Sequence, residues 1–317
     1  MKIVVLDGSV VNPGDLSWEP ISKYGSLKVY GQTSDEELVE RAINADILLT
    51  NKRVIDKHVL EALPNLKLIC LLATGYNNVD INAAKDLGVT VCNAVGYGST
   101  AVAQHVFAFI LGFANKVAEH NETVHAGDWT SKNIWSYSTN PLIELAGKTI
   151  GIYGFGKIGN KVGDIAFGFD MKVLATHKHP TRDARNGVRF VDINTLCEQS
   201  DFITLHAPLT EANKEIFNKA LLSKMKSSAF LINTGRGGLI NELDLKTALE
   251  NNEIAGAGLD VLSQEPPPSD HPLIGVDRCT ITPHNAWAAK NSRERLIDIV
   301  GQNIEAFING KPNNVVV

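Results

Sequence analysis

Short apolar runs and amphipathic stretches alternate along most of this chain. Toward the N-terminus the runs KIVVLD, LKVYG, DILLTN, LKLICLLAT and VTVCNA have strand length, and helix-like pieces such as SDEELVERAINA and DINAAKDLG separate them. A second series starts at AGKTIGIYGFG and continues through KVLAT, DFITLHA, AFLINTG, GAGLDVL and CTITPH, six strands in all. Strands that alternate with helices predict mostly parallel sheets covered on both faces. Between the two series, Ser99 opens one long helical stretch that runs to Gly127 and is apolar enough to be buried between layers. It is predicted to leave a first domain and enter a second. The last helix, NSRERLIDIVGQNIEAFING, is predicted to return to the first domain. The expected architecture is an α/β protein with a discontinuous first domain, 1–98 plus 286–317, and a doubly wound second domain inserted at 99–285.

Composition narrows the function classes. A chain of 317 residues with 44% hydrophobic content can bury substantial cores and suits about two domains. A net charge of -5 without a dense basic stripe gives no nucleic-acid signal. No run approaches the roughly 20 apolar residues of a membrane span, and the apolar start is too short for a secretory leader. Cys70, Cys92, Cys197 and Cys279 show no paired spacing and read as buried thiols of a reducing compartment. A soluble cytoplasmic protein is expected.

The chemistry begins where the strand Thr149 to Tyr153 runs into Gly154-Phe155-Gly156-Lys157-Ile158-Gly159 and a helix opens. Within a βαβ unit of roughly 30 residues this spacing is a dinucleotide fingerprint. Gly154 allows the tight turn, Gly156 lets backbone approach a pyrophosphate, and Gly159 lets helix and strand pack closely. The helix N-terminus offers unpaired N–H groups to the phosphates. The next strand, Lys172 to Ala175, should finish on an acid that holds the adenosine ribose. It reads Thr176, His177, Lys178, His179 instead, with Arg182 behind. That removes repulsion toward a 2′-phosphate and supplies cations, so NADP is favoured over NAD; the competing reading is a solvated basic loop. No further ligands cluster near the His-x-His pair, and no metal is expected.

Four more residues follow strands of the second series. Arg236 sits in the Gly-rich turn NTGRGG, where a guanidinium suits a 2-oxo acid because it can clamp the carboxylate and polarise the carbonyl. Asp260 ends GLD, Glu265 precedes a proline run, and His284 ends TITPH. Together they place Arg, Asp, Glu and His on one sheet edge beside the glycine loop. KMKSS (Lys224 to Ser228) is a scrambled version of a synthetase loop without its partner motif and is set aside. His105 lies in an apolar helix and reads as a packing histidine. Trp129 and Trp135 read as packing or dimer-contact aromatics.

The ordered set of the glycine loop, NTGRGG, GLDVLSQEPPP and TPHNAWA resembles the D-isomer-specific 2-hydroxyacid dehydrogenase family over essentially the whole chain, with LLATGYNNVD and STAVAQHVFAFIL also similar. The resemblance implies a Rossmann-type domain inserted in a flavodoxin-like α/β domain, and a homodimer. It makes Arg236 the substrate-binding arginine, His284 the acid/base, Glu265 its partner, and Asp260 a ligand of the nicotinamide carboxamide. His206, Ala207, Pro208, Thr234 and Gly235 would line the cofactor. The backbone amides of Thr74 and Gly75 would take the substrate carboxylate, with Lys52 facing the pocket. Tyr76 and Trp287 look like those of glycerate dehydrogenase and hydroxypyruvate reductase members, which implies hydroxypyruvate or glyoxylate as substrate.

In the implied reaction, hydride passes from NAD(P)H to the α-carbon of a 2-oxo acid while His284 donates a proton to the incipient alkoxide. Glu265 would keep the imidazole protonated and fix its ring, and domain closure would exclude water. D-lactate and phosphoglycerate dehydrogenases remain alternatives within the class. Formate members carry Gln at the Glu265 position and fit poorly. An NAD(H)-sensing, corepressor-like binding protein is the alternative from another class.

Overall fold

The computed structural model describes residues 1–317. The chain divides into two compact units, Met1–Gly98 with Trp287–Val317, and Ser99–Ala286.

In the first unit β1 (Lys2–Val5), β2 (Ser26–Val29), β3 (Ile47–Thr50), β4 (Leu68–Leu71) and β5 (Thr90–Cys92) form one parallel sheet in the order β2-β1-β3-β4-β5. That is the flavodoxin-like order. β3 and β4 are buried along their whole length, as strands covered on both faces must be. The two-residue period of the pleat sorts the side chains into two cores. Val4, Leu48, Ile69 and Val91 pack with Leu38 and Leu60 on one face. Ile3, Val5, Ile47, Leu49, Leu68 and Cys70 pack on the other with Leu296, Ile297, Val300 and Ile304 of the last helix, Lys290–Ile308. That helix therefore returns to the first unit because its apolar stripe completes this core; each fully buried aliphatic contributes about 1.5–3 kcal/mol.

The second unit holds β6 (Thr149–Tyr153), β7 (Lys172–Thr176), β8 (Val188–Phe190), β9 (Phe202–Leu205), β10 (Phe230–Asn233), β11 (Gly256–Leu259) and β12 (Cys279–Ile281). Every pairing is parallel, in the order β8-β7-β6-β9-β10-β11-β12. Strand order reverses between β6 and β9, the topological switch point at which such sheets bind ligands. All seven strands point the same way, so every residue that follows a strand end stands on one edge.

Two features depart from the sequence reading. The second sheet has seven strands, not six: Val188–Phe190 adds to β7 as an outer strand. With three residues, none of them fully buried, it has no apolar run to announce it. The helical stretch from Ser99 is also not continuous. It breaks into Ser99–Asn115 and Val117–His125, bent by 50°, because Lys116 adopts a left-handed backbone with φ of 50°, which no α-helix continues through. No single helix is long and apolar enough to cross a membrane.

Candidate active site

The carboxyl edge of the seven-stranded sheet is built strand by strand. β6 ends at Gly154, whose φ of +96° is open to glycine alone and where a Cβ would come within 2.5 Å of the Ala207 backbone nitrogen. This turn lets the helix Lys157–Gly168 start directly above the strand. That helix has Gly156 as its N-cap with no side-chain hydrogen bond, and space around Gly156 is open. An uncapped helix start with unpaired N–H groups favours an anion. Beside it, His206 follows β9 and Thr234 follows β10. His206 Nε2 lies 2.7 Å from Thr204 Oγ1, while its Nδ1 and the hydroxyl of Thr234 are out of solvent reach without a partner. Burial pushes the His206 imidazole down to about 3, so the ring is neutral. Orphaned polar atoms at this depth call for a polar ligand, and with the open glycine cradle they fit the pyrophosphate and neighbouring groups of a dinucleotide.

Gly154→Ala should lower stability by about 1–3 kcal/mol through backbone strain alone and weaken dinucleotide binding as Ala207 is pushed aside. Urea denaturation and quenching of protein fluorescence by NADPH measure the two effects.

At the end of β7, His177, Lys178 and Arg182 stand with an acid that the sequence reading did not weigh. Arg182 donates to Asp183 through Nε at 2.9 Å and Nη2 at 2.6 Å, and His177 Nδ1 lies 3.1 Å from the same carboxylate. The Arg182 guanidinium beside it holds the Asp183 carboxyl below its ordinary range. The loop is thus part-neutralised. Lys178 is exposed and enters no ion pair.

Arg236 follows β10 in a turn fixed from beneath by the fully buried Asn233, whose Nδ2 donates to the Arg236 carbonyl at 2.8 Å and whose Oδ1 accepts from Gly235 N at 3.0 Å. The guanidinium donates to the Gly235 carbonyl at 2.8 Å, is exposed, and enters no ion pair, so its charge is available to an anion. Asp260, at the end of β11, is 2% exposed and organises the segment after β12. Its carboxylate accepts from Thr282 Oγ1 at 2.6 Å, Asn285 N at 2.9 Å and Ala286 N at 3.0 Å. The residue between them, His284, has φ of 51° and donates its backbone N–H to the Asp260 carbonyl at 2.9 Å. Asp260 therefore presents His284, and His105 joins the same network through Thr282 Oγ1 at 3.0 Å. Its ring also packs edge-on to Phe109, as a packing histidine does.

His284 Nδ1 lies 2.6 Å from Glu265 Oε2. The other carboxylate oxygen of Glu265 accepts from Leu262 N at 3.1 Å. With Nδ1–H given to the carboxylate, Nε2 is the nitrogen left to exchange a proton. Both side chains are about a quarter to a third exposed, 26% and 30%, so the pair is reachable from solvent.

In the first unit, Asp7 is buried at the end of β1 and accepts from Asn51 N at 2.8 Å and Lys52 N at 2.6 Å, which sets the Lys52 loop with its side chain exposed. The Thr74–Gly75 loop is tied down by Thr74 Oγ1 to the Ala94 carbonyl at 2.6 Å and Asn93 Nδ2 to the Thr74 carbonyl at 2.7 Å. Trp287 packs edge-on to Tyr97 with ring centres 6.1 Å apart.

A glycine cradle at the switch point with a histidine–carboxylate pair on the same edge suits a dinucleotide-dependent oxidoreductase. A family model described as "D-isomer specific 2-hydroxyacid dehydrogenase, NAD binding domain" matches residues 107–286. The chain is 46% identical to a hydroxypyruvate reductase of Blautia hydrogenotrophica, covering 100% of this chain and 99% of that protein. It is 41% identical to a glycerate dehydrogenase of Methylorubrum extorquens, covering 91% of each. Among solved structures it is similar to an acyclic imino acid reductase in complex with NADPH and D-Arg, with a TM-score of 0.87, 35% identity and 100% of both chains covered. The chain belongs to the D-isomer-specific 2-hydroxyacid dehydrogenase family. It is an enzyme acting on CH–OH donors that binds NAD(P) and couples it to 2-oxo acid reduction.

Proposed function

We propose that this enzyme reduces hydroxypyruvate or glyoxylate to the D-2-hydroxy acid or its achiral counterpart, with NADPH preferred over NADH. The observation that carries the reading is the 2.6 Å contact of His284 with Glu265 on the sheet edge that also bears Arg236. The substrate preference is supported by the relatives named hydroxypyruvate reductase, glycerate dehydrogenase and glyoxylate reductase.

Gly154 to Gly159, His206, Ala207, Pro208, Thr234 and Gly235 hold the cofactor, and when bound it supplies the hydride. Arg236 pairs with the substrate carboxylate and polarises the oxo group. Lys52, Thr74, Gly75 and Trp287 are assigned further substrate contacts. His284 Nε2–H gives its proton to the oxo oxygen as negative charge develops there. Glu265 fixes the ring through Nδ1–H and balances the charge of the protonated imidazole. Asp260 presents His284 through its bonds to Thr282, Asn285 and Ala286, and by family resemblance it would take the nicotinamide carboxamide. Exposed Val117, Val124, Trp129, Ile134, Trp135 and Leu142 support a homodimer through this segment, and four unpaired cysteines are consistent with a reducing, cytoplasmic setting.

Steady-state reduction of hydroxypyruvate, glyoxylate and pyruvate, each with NADPH and NADH, tests the reading. Hydroxypyruvate or glyoxylate with NADPH should give the highest kcat/KM; pyruvate ahead of both would assign a lactate-type enzyme. Asp183→Asn removes the carboxylate that shares His177 and Arg182, and should lower the KM for NADPH severalfold, with that for NADH unchanged. A KM for NADPH that does not move would mean that the loop makes no 2′-phosphate contact.

A further inference from the structure

A second histidine–glutamate pair lies behind the first. Glu242 opens the helix Glu242–Glu250, six residues after Arg236, with Asn241 as the N-cap through its Oδ1 and Asp244 N. The Glu242 side chain is 12% exposed and that of His271 is 4% exposed, with His271 Nε2 3.1 Å from Glu242 Oε2. His271 Nδ1 accepts from Leu273 N at 3.3 Å, so Nε2 carries the hydrogen and donates to Glu242. The same carboxylate accepts from Ser263 N at 2.8 Å and Ser263 Oγ at 2.5 Å. One buried carboxylate thus grips the Glu265 loop at both ends, two residues before Glu265 and six after it.

The grip also reaches the Arg236 turn. A Cβ at Gly237 would overlap the Leu262 carbonyl carbon and crowd Ser263 N, so the two loops run in direct backbone contact. Leu262 N in turn donates to Glu265 Oε1. A path of hydrogen bonds and close packing therefore links Glu242 to Glu265 and to the turn that carries Arg236.

The geometry points to Glu242, with His271 and Ser263, as a positioning clamp that fixes Glu265 onto His284 and sets its spacing to Arg236. Neither Glu242 nor His271 touches the reacting atoms. The loop between the anchors carries three consecutive prolines, Pro266 to Pro268, which lack N–H donors and so cannot tie themselves to neighbouring carbonyls. The anchors at Ser263 and His271 therefore matter more to its position. Glu242→Gln keeps the shape but replaces one accepting oxygen by a donor, which faces the Ser263 and His271 donors instead of receiving them.

This inference rests on the proposed roles of Glu265 and His284, and a double-mutant cycle separates the two. Glu242→Gln should lower kcat for hydroxypyruvate about tenfold or more, because small displacements of catalytic groups are costly, while the KM for NADPH stays unchanged. In a Glu265→Gln background the same substitution should cost less than about twofold, since coupled residues are not additive. His271→Ala should reproduce the loss and His271→Gln, which restores a donor to Glu242, should recover most of it. If Glu242→Gln does not fold, the His271 pair with Ser263→Ala carries the same comparison. An unchanged kcat in folded Glu242→Gln, an equal loss in both backgrounds, or no recovery in His271→Gln would overturn the clamp. Wild-type kcat in Glu265→Gln alone would instead overturn the catalytic reading beneath it.

Discussion

Replacement of His284 by glutamine is expected to lower kcat for 2-oxo acid reduction by about 10²–10⁴-fold, the usual contribution of a positioned general acid. NADPH affinity, read by fluorescence titration, should not change. The reasoning is geometric. Nδ1 is committed to Glu265 at 2.6 Å, the backbone N–H to the Asp260 carbonyl, and the flanking segment to the Asp260 carboxylate. Only Nε2 is left to give a proton to the oxo oxygen, and glutamine fills the space with an amide that cannot. The left-handed backbone of His284 is held by its N–H bond to the Asp260 carbonyl and by the flanking bonds to the Asp260 carboxylate, not by its ring, so the variant should fold. A kcat within a fewfold of the wild-type value would remove His284 from the proton path.

The second large effect is expected at Arg236. Arg236→Lys keeps the charge but loses the planar fork that engages carboxylate and oxo group together. Two charge-assisted hydrogen bonds at about 1.5–3 kcal/mol each are at stake, which sets the loss in kcat/KM near a hundredfold or more. The loss should be divided between a raised KM for the oxo acid and a lowered kcat, since one bond holds the ground state and the other grows as charge develops on the oxygen. Stability should be untouched: the buried support of the turn is Asn233, not the guanidinium. Asn233→Ala, by contrast, would disturb the turn itself.

The candidate edge was legible in the sequence because each member follows a strand that its own apolar run announces. Gly154, Arg236, Asp260 and His284 all stand one to three residues beyond such runs, and a parallel sheet brings all those ends to one side. Contacts between distant positions had no comparable signal. Glu242 and His271 are 29 residues apart and look like an ordinary helix-start acid and a loop histidine until the fold joins them. Asn233 reads as the polar end of a strand, although it pins the Arg236 turn. Asp183 stood in plain view directly after Arg182, yet a lone acid behind a basic run says nothing about pairing until Arg182 turns toward it. The outer strand Val188–Phe190 and the break at Lys116 escaped for a different reason. One is too short to carry a pattern, and the other is a single backbone angle inside an uninterrupted apolar stripe.

The seven-stranded sheet carries the glycine turn and the His284–Glu265 pair on one edge, and the loops of the five-stranded sheet carry Lys52 and the Thr74–Gly75 turn. The side chains of Asp7 and Asn93 hold those loops by hydrogen bonds to loop backbone, and the Lys52 side chain stays exposed.

The central claim is that this edge reduces 2-oxo acids with the stereochemistry of its family. Incubation of the wild-type enzyme with hydroxypyruvate and limiting NADPH, followed by chiral separation of the products, tests it most directly. D-glycerate should form in equal amount to the NADPH oxidised, and with His284→Gln it should form no faster than about a hundredth of that rate. L-glycerate, or tight NADPH binding without any glycerate, would contradict the account.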